Sequence, residues 1–147
     1  KKKKPIGVWC IKQQEIVEEY SVFDDWMDKY AYLIEQGKEL SGLDDANRTD
    51  NNVISGCQSK VWLHADYKDG KIYFTADSDA ILTKGLVAMV IRVFSDETPD
   101  DIINAEPWFI KEIGLEENLS PTRSNGLTSM LKQIKFYAMA YKAKYGK

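Results

Sequence analysis

The chain has 147 residues, of which 44% are hydrophobic and 29% are charged, and this balance is typical of one folded domain with a buried core. Its 20 Lys and Arg residues are outnumbered by 23 Asp and Glu residues, and the net charge of −3 argues against general nucleic-acid binding. The longest apolar run, residues 85–91, is far shorter than the ~20 residues of a membrane span. We therefore expect a soluble protein with protein or small-molecule partners.

Residues 1–14 begin with four lysines, and their apolar part is too short for a signal peptide. We expect a disordered or expression-derived leader over this range and one folded domain over residues 15–147. The chain has two cysteines, Cys10 and Cys57, and one of them lies in this leader. A disulfide framework is therefore not expected, and a reducing cytoplasm is the expected location.

The spacing of apolar residues predicts two helices before a polar loop. The first includes residues 16–23. The second is predicted to begin near Ser21, where Ser21 and Asp24 have the spacing of a capping box, and to end at Gly37. Residues 40–52 are polar but lack the ligand pattern of a calcium-binding loop, so a solvent-exposed loop is expected there.

A small sheet is predicted next. Residues 61–65 and 72–76 alternate apolar and polar side chains on either side of Lys68-Asp69-Gly70, which is a hairpin signal. With a short strand near Val53, this pattern predicts three antiparallel strands. The alternation also places His64 on the face away from the apolar side chains.

Cap and proline signals predict four helices after the sheet. Residues 77–79 are expected to cap a core helix over residues 80–94, and residues 98–99 begin the next helix. A short helix is predicted to end at Gly114, and the last helix follows residues 120–126. Two helices, a small sheet and then several helices make the predicted fold class α+β.

Cys57 is the clearest candidate for a chemically reactive residue. It stands in Ser55-Gly56-Cys57-Gln58-Ser59, at the predicted turn between two strands. An inert structural thiol is one open interpretation. His64 has no obvious acidic partner to orient it as a base, no resolving cysteine is near, and no metal-ligand spacing is present. The chemistry that one sulfur can perform without a cofactor is thiolate attack on another sulfur, with transfer of a sulfur atom.

Three blocks of sequence, in this order, resemble the SufE family of sulfur-acceptor proteins. They are residues 56–63 (GCQSKVWL), 76–86 (ADSDAILTKGL) and 119–127 (LSPTRSNGL). The resemblance extends over roughly residue 15 to the C-terminus. It implies a SufE/IscU-like α+β fold, with a small three-stranded antiparallel sheet packed by several helices.

The resemblance also implies a function. Cys57 matches the family's acceptor cysteine, which would take a sulfane sulfur as a persulfide from a SufS-like, pyridoxal-phosphate-dependent cysteine desulfurase. The chain would stimulate that enzyme and deliver sulfur to an iron–sulfur scaffold complex. The pyridoxal phosphate belongs to the partner, so no cofactor or metal is expected on this chain. Whether the chain is itself an enzyme, beyond its sulfurtransferase-like step, and whether it forms a homodimer both stay open.

Other residues in the matched blocks are candidates for loop or partner contacts: Gly56, Gln58, Ser59, Asp77, Asp79 and Arg123. Asp77 and Asp79 are expected to cap the core helix, or alternatively to hold the loop that carries Cys57. Arg123 lies at the start of the last helix, where the helix dipole does not favour a cation. A structural ion pair and a contact with the partner or the loop therefore both stay open for Arg123.

Three alternatives stay open beside the carrier hypothesis. The chain could serve a paralogous desulfurase, it could be a binding module with an inert Cys57, or it could be an assembly scaffold that holds nascent clusters. Reactivity of Cys57 towards a desulfurase persulfide separates a carrier from a binding module. An iron–sulfur chromophore after reconstitution separates a scaffold from a carrier.

Overall fold

A computed structural model describes residues 8–40, 43–54 and 59–145, and it confirms the α+β class. Two single 3₁₀ turns, Asp45–Asn47 and Asp50–Asn52, precede the sheet. The helices and strands are α1 (Val8–Ser21), α2 (Trp26–Lys38), β1 (Val61–Lys68), β2 (Lys71–Ser78), α3 (Ile81–Phe94), α4 (Pro99–Asn104), α5 (Phe109–Ile113), α6 (Leu115–Asn118) and α7 (Pro121–Tyr145).

The predicted hairpin is confirmed. β1 and β2 pair antiparallel, with Val61 opposite Ser78. Asp69 and Gly70 form the turn with φ angles of 54° and 83°, and two successive positive φ angles match the twist of a two-residue hairpin turn. Alternate side chains of the hairpin are buried, so one face of the sheet belongs to the core.

The prediction of a third strand near Val53 is wrong for the residues that the structure describes. Val53 forms a single isolated bridge with Trp62, and the sheet has two strands. The 3₁₀ turn Asp50–Asn52 directly before Val53 uses the residues that a strand would need. Residues 50–52 are therefore not extended, and the described chain before β1 adds one bridge to the sheet and no strand.

Helix α7 takes the place of the missing strand along β1. The Tyr137 hydroxyl donates to the Leu63 carbonyl at 3.4 Å, and the Tyr141 hydroxyl donates to the Ala65 carbonyl at 2.9 Å. An edge strand presents unpaired carbonyls, which need hydrogen-bond donors when they are shielded from water. Two tyrosine hydroxyls supply donors that a third strand would otherwise supply.

Helix α3 is the central helix, as predicted. Its buried residues face β2, α2 and α7, and they are Thr83, Gly85, Leu86, Val87, Met89, Val90, Val93 and Phe94. The inner face of the hairpin supplies the other side of the core with Val61, Leu63, Ala65, Ile72, Phe74 and Ala76. In the described ranges, no helix has both the length and the apolar character to cross a membrane.

Helix α2 ends at Lys38, one residue after the predicted end, but Gly37 is not the stop, because it lies inside the helix and is buried. A Cβ atom on Gly37 would lie 2.7 Å from the Gly85 nitrogen, and a Cβ atom on Gly85 would lie 2.4 Å from the Leu33 carbonyl oxygen. Neither position can hold a side chain without moving a backbone. The two glycines therefore serve the close crossing of α2 and α3 rather than a helix stop.

The predicted start of α2 at Ser21 is also wrong. Asp25 is the N-cap, and its side chain accepts a hydrogen bond from the Asp28 amide at 3.0 Å. The Ser21 hydroxyl instead donates to the Glu18 carbonyl at the end of α1.

Two predictions for later helix ends are confirmed. The Thr98 side chain caps α4 by accepting from the Asp101 amide, and Gly114 ends α5 with a φ of 91°.

Part of the expected disordered leader is folded. Residues 8–14 form the first half of α1, and Gln13 is fully buried. The Gln13 side chain donates to the Glu106 carbonyl and accepts from the Phe109 amide, both at 3.0 Å. The folded domain therefore extends to the N-terminal side of residue 15, and residues 1–7 lie outside the described residues.

A second contact fixes the same part of α1. The Lys12 ammonium lies 2.7 Å from a carboxylate oxygen of Glu97, and it also donates to the Ser95 carbonyl at 2.7 Å. The Glu97 side chain is almost fully buried. A lysine stem covers apolar surface while its charged end pairs with a buried carboxylate, so the composition of a basic leader does not reveal this role.

We expect Gly85→Ala to lower the free energy of unfolding by about 1–3 kcal/mol, because the added methyl group would overpack the crossing of α2 and α3. The sign of this change is informative, because Gly→Ala at an unconstrained helix position stabilises the helix by roughly 1 kcal/mol. Urea denaturation followed by circular dichroism measures the change. A variant more stable than the parent protein would contradict the close contact.

We expect Gln13→Leu to destabilise the protein by about 1–3 kcal/mol, because the buried Phe109 amide would lose its acceptor and the Glu106 carbonyl would keep only the Trp108 amide as a donor. Gln14→Leu is the matched control, because Gln14 is exposed and hydrogen-bonds only within α1, to Glu18. Thermal denaturation of the two variants side by side checks this prediction. Equal melting temperatures for both variants would mean that the two buried hydrogen bonds of Gln13 contribute nothing to stability.

Candidate functional site

Three of the predicted site residues, Gly56, Cys57 and Gln58, lie outside the described residues. The structure describes the chain on both sides of them, up to Ile54 and from Ser59 onwards. The contacts of these two flanks define where residues 55–58, the Cys57 segment, begin and end.

The N-terminal flank is held to β1. Ile54 is buried, and its amide donates to the Val61 carbonyl at 2.9 Å. The neighbouring residue Val53 forms the isolated bridge with Trp62. The backbone on this side is therefore fixed by one buried side chain and by strand-like hydrogen bonding.

The C-terminal flank is held by Asp79. A carboxylate oxygen of Asp79 accepts from the Lys60 amide at 3.1 Å, and the Asp79 amide donates to the Lys60 carbonyl at 3.2 Å. The Ser78 hydroxyl donates to the same Lys60 carbonyl at 2.8 Å. Both backbone polar groups of Lys60 are thus paired with the junction between β2 and α3.

The predicted role of Asp77 and Asp79 as caps of α3 is wrong. The N-cap residue is Ala80, which has no side-chain cap, and its amide donates to the Ser78 hydroxyl at 3.3 Å. The Asp79 carboxylate is turned towards Lys60 instead. The alternative expectation, that these residues hold the loop that carries Cys57, stays a prediction; the described contact is between Asp79 and Lys60, which follows that loop.

Asp77 is the centre of an ion-pair network. Arg48 donates to one carboxylate oxygen, from Nη2 at 2.7 Å and from Nε at 3.3 Å. The other oxygen accepts from the Ser78 amide at 2.8 Å and lies 3.3 Å from the Lys84 ammonium. Burial is the largest single influence and raises the pKa of Asp77, but the donors from Arg48, Ser78 and Lys84 together outweigh it. The net pKa is lowered, so Asp77 is ionised at neutral pH.

A small cavity of about 30 Å³ lies beside Ser59. Its walls come from the first turns of α7 and from α3, and the lining residues are Ser59, Thr83, Leu86, Thr122, Arg123, Gly126 and Met130. A cavity of this size holds one or two water-sized groups. It brings together two predicted site residues, Ser59 and Arg123, which are far apart in sequence.

Arg123 is exposed at the rim of this cavity. Its backbone amide donates to the Ser120 hydroxyl at 3.2 Å, which caps the start of α7. Within residues 8–40, 43–54 and 59–145, its guanidinium group forms no ion pair. The structural ion pair considered from the sequence therefore has no partner in the described part of the chain.

An apolar gap of about 10 Å³ lies between β1, α3 and α7. Its lining residues are Ile54, Val61, Leu63, Val87, Val90, Ile91, Met130 and Ile134. Met130 borders both this gap and the cavity at Ser59. The interior next to Ile54 is thus apolar, and the cavity next to Ser59 is lined in part by hydroxyl groups and a cation.

His64 has an acidic neighbour that the sequence analysis did not expect. Its Nε2 lies 3.1 Å from an Asp66 carboxylate oxygen, two residues further along the same face of β1. The predicted orientation away from the core is confirmed, because His64 is only partly buried and the flanking residues of β1 are buried. Among the described residues, no group of three or more His, Cys, Asp or Glu side chains could hold a metal ion.

Sequence reasoning missed Arg48 and Lys84 as partners of Asp77. Lys84 follows Asp77 by seven residues and lies on the first turn of the helix that Asp77 precedes, so this contact could have been found from helix geometry. Arg48 stands in a polar loop 29 residues from Asp77, and no local pattern points to it.

The comparisons with known proteins agree with this architecture. The SufE profile, described as an Fe-S metabolism associated domain, matches residues 14–138. Over 126 residues, the chain is 40% identical to an uncharacterized SufE-like protein of Rhizobium meliloti (strain 1021), and the match covers 82% of this chain and 90% of that protein. A second uncharacterized SufE-like protein, from Rhizobium etli, is 41% identical over 126 residues, with 82% and 85% covered.

A solved structure has a similar fold. The solution structure of a hypothetical protein from Thermus thermophilus superposes with a TM-score of 0.72 over 88% of this chain and 94% of that chain. The identity is 20%, so this similarity concerns the fold. The profile match covers most of the chain, and two relatives exceed 30% identity over most of their length. The chain therefore belongs to the SufE family, whose domain is associated with Fe–S metabolism.

Proposed function

We propose that this chain accepts a sulfane sulfur on Cys57 from a pyridoxal-phosphate-dependent cysteine desulfurase, stimulates that enzyme, and delivers the sulfur for iron–sulfur cluster assembly. Membership of the SufE family supports this role. The observation in the structure that carries the proposal is the anchoring of both flanks of the Cys57 segment, at Ile54 and Lys60, beside a small cavity with the cation Arg123 at its rim.

The proposed step is an exchange between sulfur atoms. The Cys57 thiolate attacks the outer sulfur of the persulfide on the donor's cysteine, and a new S–S bond forms on Cys57. The S–S bond of the donor breaks, and the donor leaves as a thiolate. The step needs no external oxidant, metal or cofactor on this chain. It does need a reduced Cys57, and a reducing cytoplasm would provide this condition.

The covalent chain limits how far Cys57 can be from the cavity. Only Gln58 separates it from Ser59, so the two Cα atoms are within roughly 7 Å of each other. Arg123 and Ser59 line the same cavity. A cation near a thiol favours the thiolate, which is the reactive form. Arg123 is therefore proposed to support the ionised sulfur of Cys57 or the arriving persulfide.

Apolar side chains, such as those around Ile54, would have the opposite effect on a sulfur placed against them. Desolvation against apolar side chains disfavours a thiolate or a persulfide anion and shields it from small reductants. The two described flanks of the Cys57 segment thus adjoin different environments, an apolar interior at Ile54 and a cationic cavity rim at Ser59. This difference in environment gives a physical basis for storing a persulfide in one position and transferring it in another.

Intact-protein mass spectrometry after incubation with a cysteine desulfurase and cysteine tests the central claim. We expect the wild-type chain and Cys10→Ser to gain one sulfur atom, and Cys57→Ser to gain none, because Cys57 is the proposed acceptor. A reducing agent should remove the added mass. No gain on wild type, with a desulfurase from the same organism and a thiol shown to be accessible, would sink the carrier role and favour an inert binding module.

The role of Arg123 is tested by Arg123→Gln. We expect the rate of sulfur transfer to fall by roughly threefold to tenfold, the effect expected when one cation near a thiolate is removed. Lys132→Gln is the matched control, because Lys132 is an exposed cation further along α7 that does not line the cavity. Single-turnover transfer assays measure both. Equal losses in the two variants would assign the effect to net charge and not to the position of Arg123.

A further inference from the structure

Arg48 lies between the two 3₁₀ turns that lead into the Cys57 segment, six residues before Ile54. We propose that Arg48 is a positioning residue for sulfur transfer, because its ion pair with Asp77 fixes the path of residues 45–54 and thereby the point from which the Cys57 segment starts. This inference rests on the proposed function, and it adds a residue that the acceptor chemistry itself does not require.

The contact has the geometry of a specific clamp. The Arg48 guanidinium places two nitrogens, Nη2 and Nε, on one oxygen of Asp77 at 2.7 and 3.3 Å, and its third nitrogen binds Asp45. The Arg48 side chain is 33% exposed and the Asp77 side chain is 16% exposed. The pair is partly exposed, but a guanidinium fixed by hydrogen bonds to two carboxylates is better defined than a surface pair with a single contact.

Further hydrogen bonds connect Arg48 to the start of the Cys57 segment. The Asn52 side chain donates to the Asn47 carbonyl at 2.8 Å, and this bond joins the second 3₁₀ turn to the first. Ile54 is then held to Val61 by its amide. A displacement of Arg48 would therefore be passed to both turns, while Ile54 keeps its own contact with Val61.

The same junction holds the other flank. Asp77 and Asp79 are two residues apart at the end of β2, and Asp79 holds Lys60. Arg48 binds Asp77, so residues before and after the Cys57 segment are attached to one short piece of rigid backbone. Ile54 is also held directly to Val61, so the Arg48 attachment adds a second constraint, on the turns at residues 45–52.

Arg48 does more than neutralise the charge of Asp77. Lys84 lies 3.3 Å from the other oxygen of Asp77, so the carboxylate retains a cationic partner when Arg48 is replaced. Lys84 belongs to α3 and lies outside residues 45–54. Replacing either Arg48 or Lys84 removes one cation from the Asp77 carboxylate. Only Arg48 connects that carboxylate to the chain before Cys57, so the two replacements form a matched pair.

The test compares Arg48→Met with Lys84→Met in a Cys10→Ser background. The first measurement is the rate at which iodoacetamide alkylates Cys57, and the second is amide hydrogen exchange over residues 43–54. We expect Arg48→Met to accelerate both by roughly twofold to fivefold, the range for loss of one partly exposed ion pair. Lys84→Met should leave both rates unchanged. Arg48→Lys should accelerate both rates less than Arg48→Met does, because lysine keeps the charge but not the planar set of donors of arginine.

Two results would overturn the inference. One is equal alkylation rates in Arg48→Met and Lys84→Met, and the other is faster hydrogen exchange in Arg48→Met with an unchanged alkylation rate, which would make Arg48 merely structural. Alkylation does not need the desulfurase. Failure of wild type to accept sulfur would therefore refute the proposed function, while the alkylation comparison would separately decide whether Arg48 positions Cys57.

Discussion

The junction between β2 and α3 is the constraint on which the candidate site depends. Asp77 is a half-buried carboxylate near the end of β2, and a carboxylate partly withdrawn from water needs donors, whereas Asp79 directly after the strand is exposed and holds Lys60. Arg48, Lys84 and backbone amides supply these donors. The pKa of Asp77 is held below its ordinary value, so its stabilising contacts are complete above the ordinary carboxyl range and are lost only as the pH falls through the lowered pKa.

Helix α7 shows how one long helix can connect the fold to the site. Its C-terminal half supplies tyrosine hydroxyls to the free carbonyls of β1, which lets a two-stranded sheet be buried without a third strand. Its first turns place Thr122 and Arg123 at the cavity beside Ser59. The position of the sheet and the wall of the site are therefore set by the same rigid element, and a shift of α7 would alter both.

Sequence reasoning succeeded where the signal was local. The hairpin turn at Gly70, the cap of α4 at Thr98 and the left-handed end of α5 at Gly114 each need a residue type with a specific backbone or side-chain property, and the structure uses them so. It failed where the same residue types serve distant contacts. Gly37 has the appearance of a helix stop but allows α2 to approach Gly85, and Asp79 has the appearance of a cap but holds Lys60.

The sequence by itself determined the α+β class, the central helix α3, the outward orientation of His64 and the resemblance to the SufE family, because periodicity and motif blocks are properties of neighbouring residues. Only the tertiary structure decided that Gln13 is buried in the core, that tyrosines replace a strand, and that Arg48 reaches Asp77. These contacts join residues 29 to 96 positions apart. Such pairs are selected by packing and desolvation in the folded chain, and no local pattern encodes them.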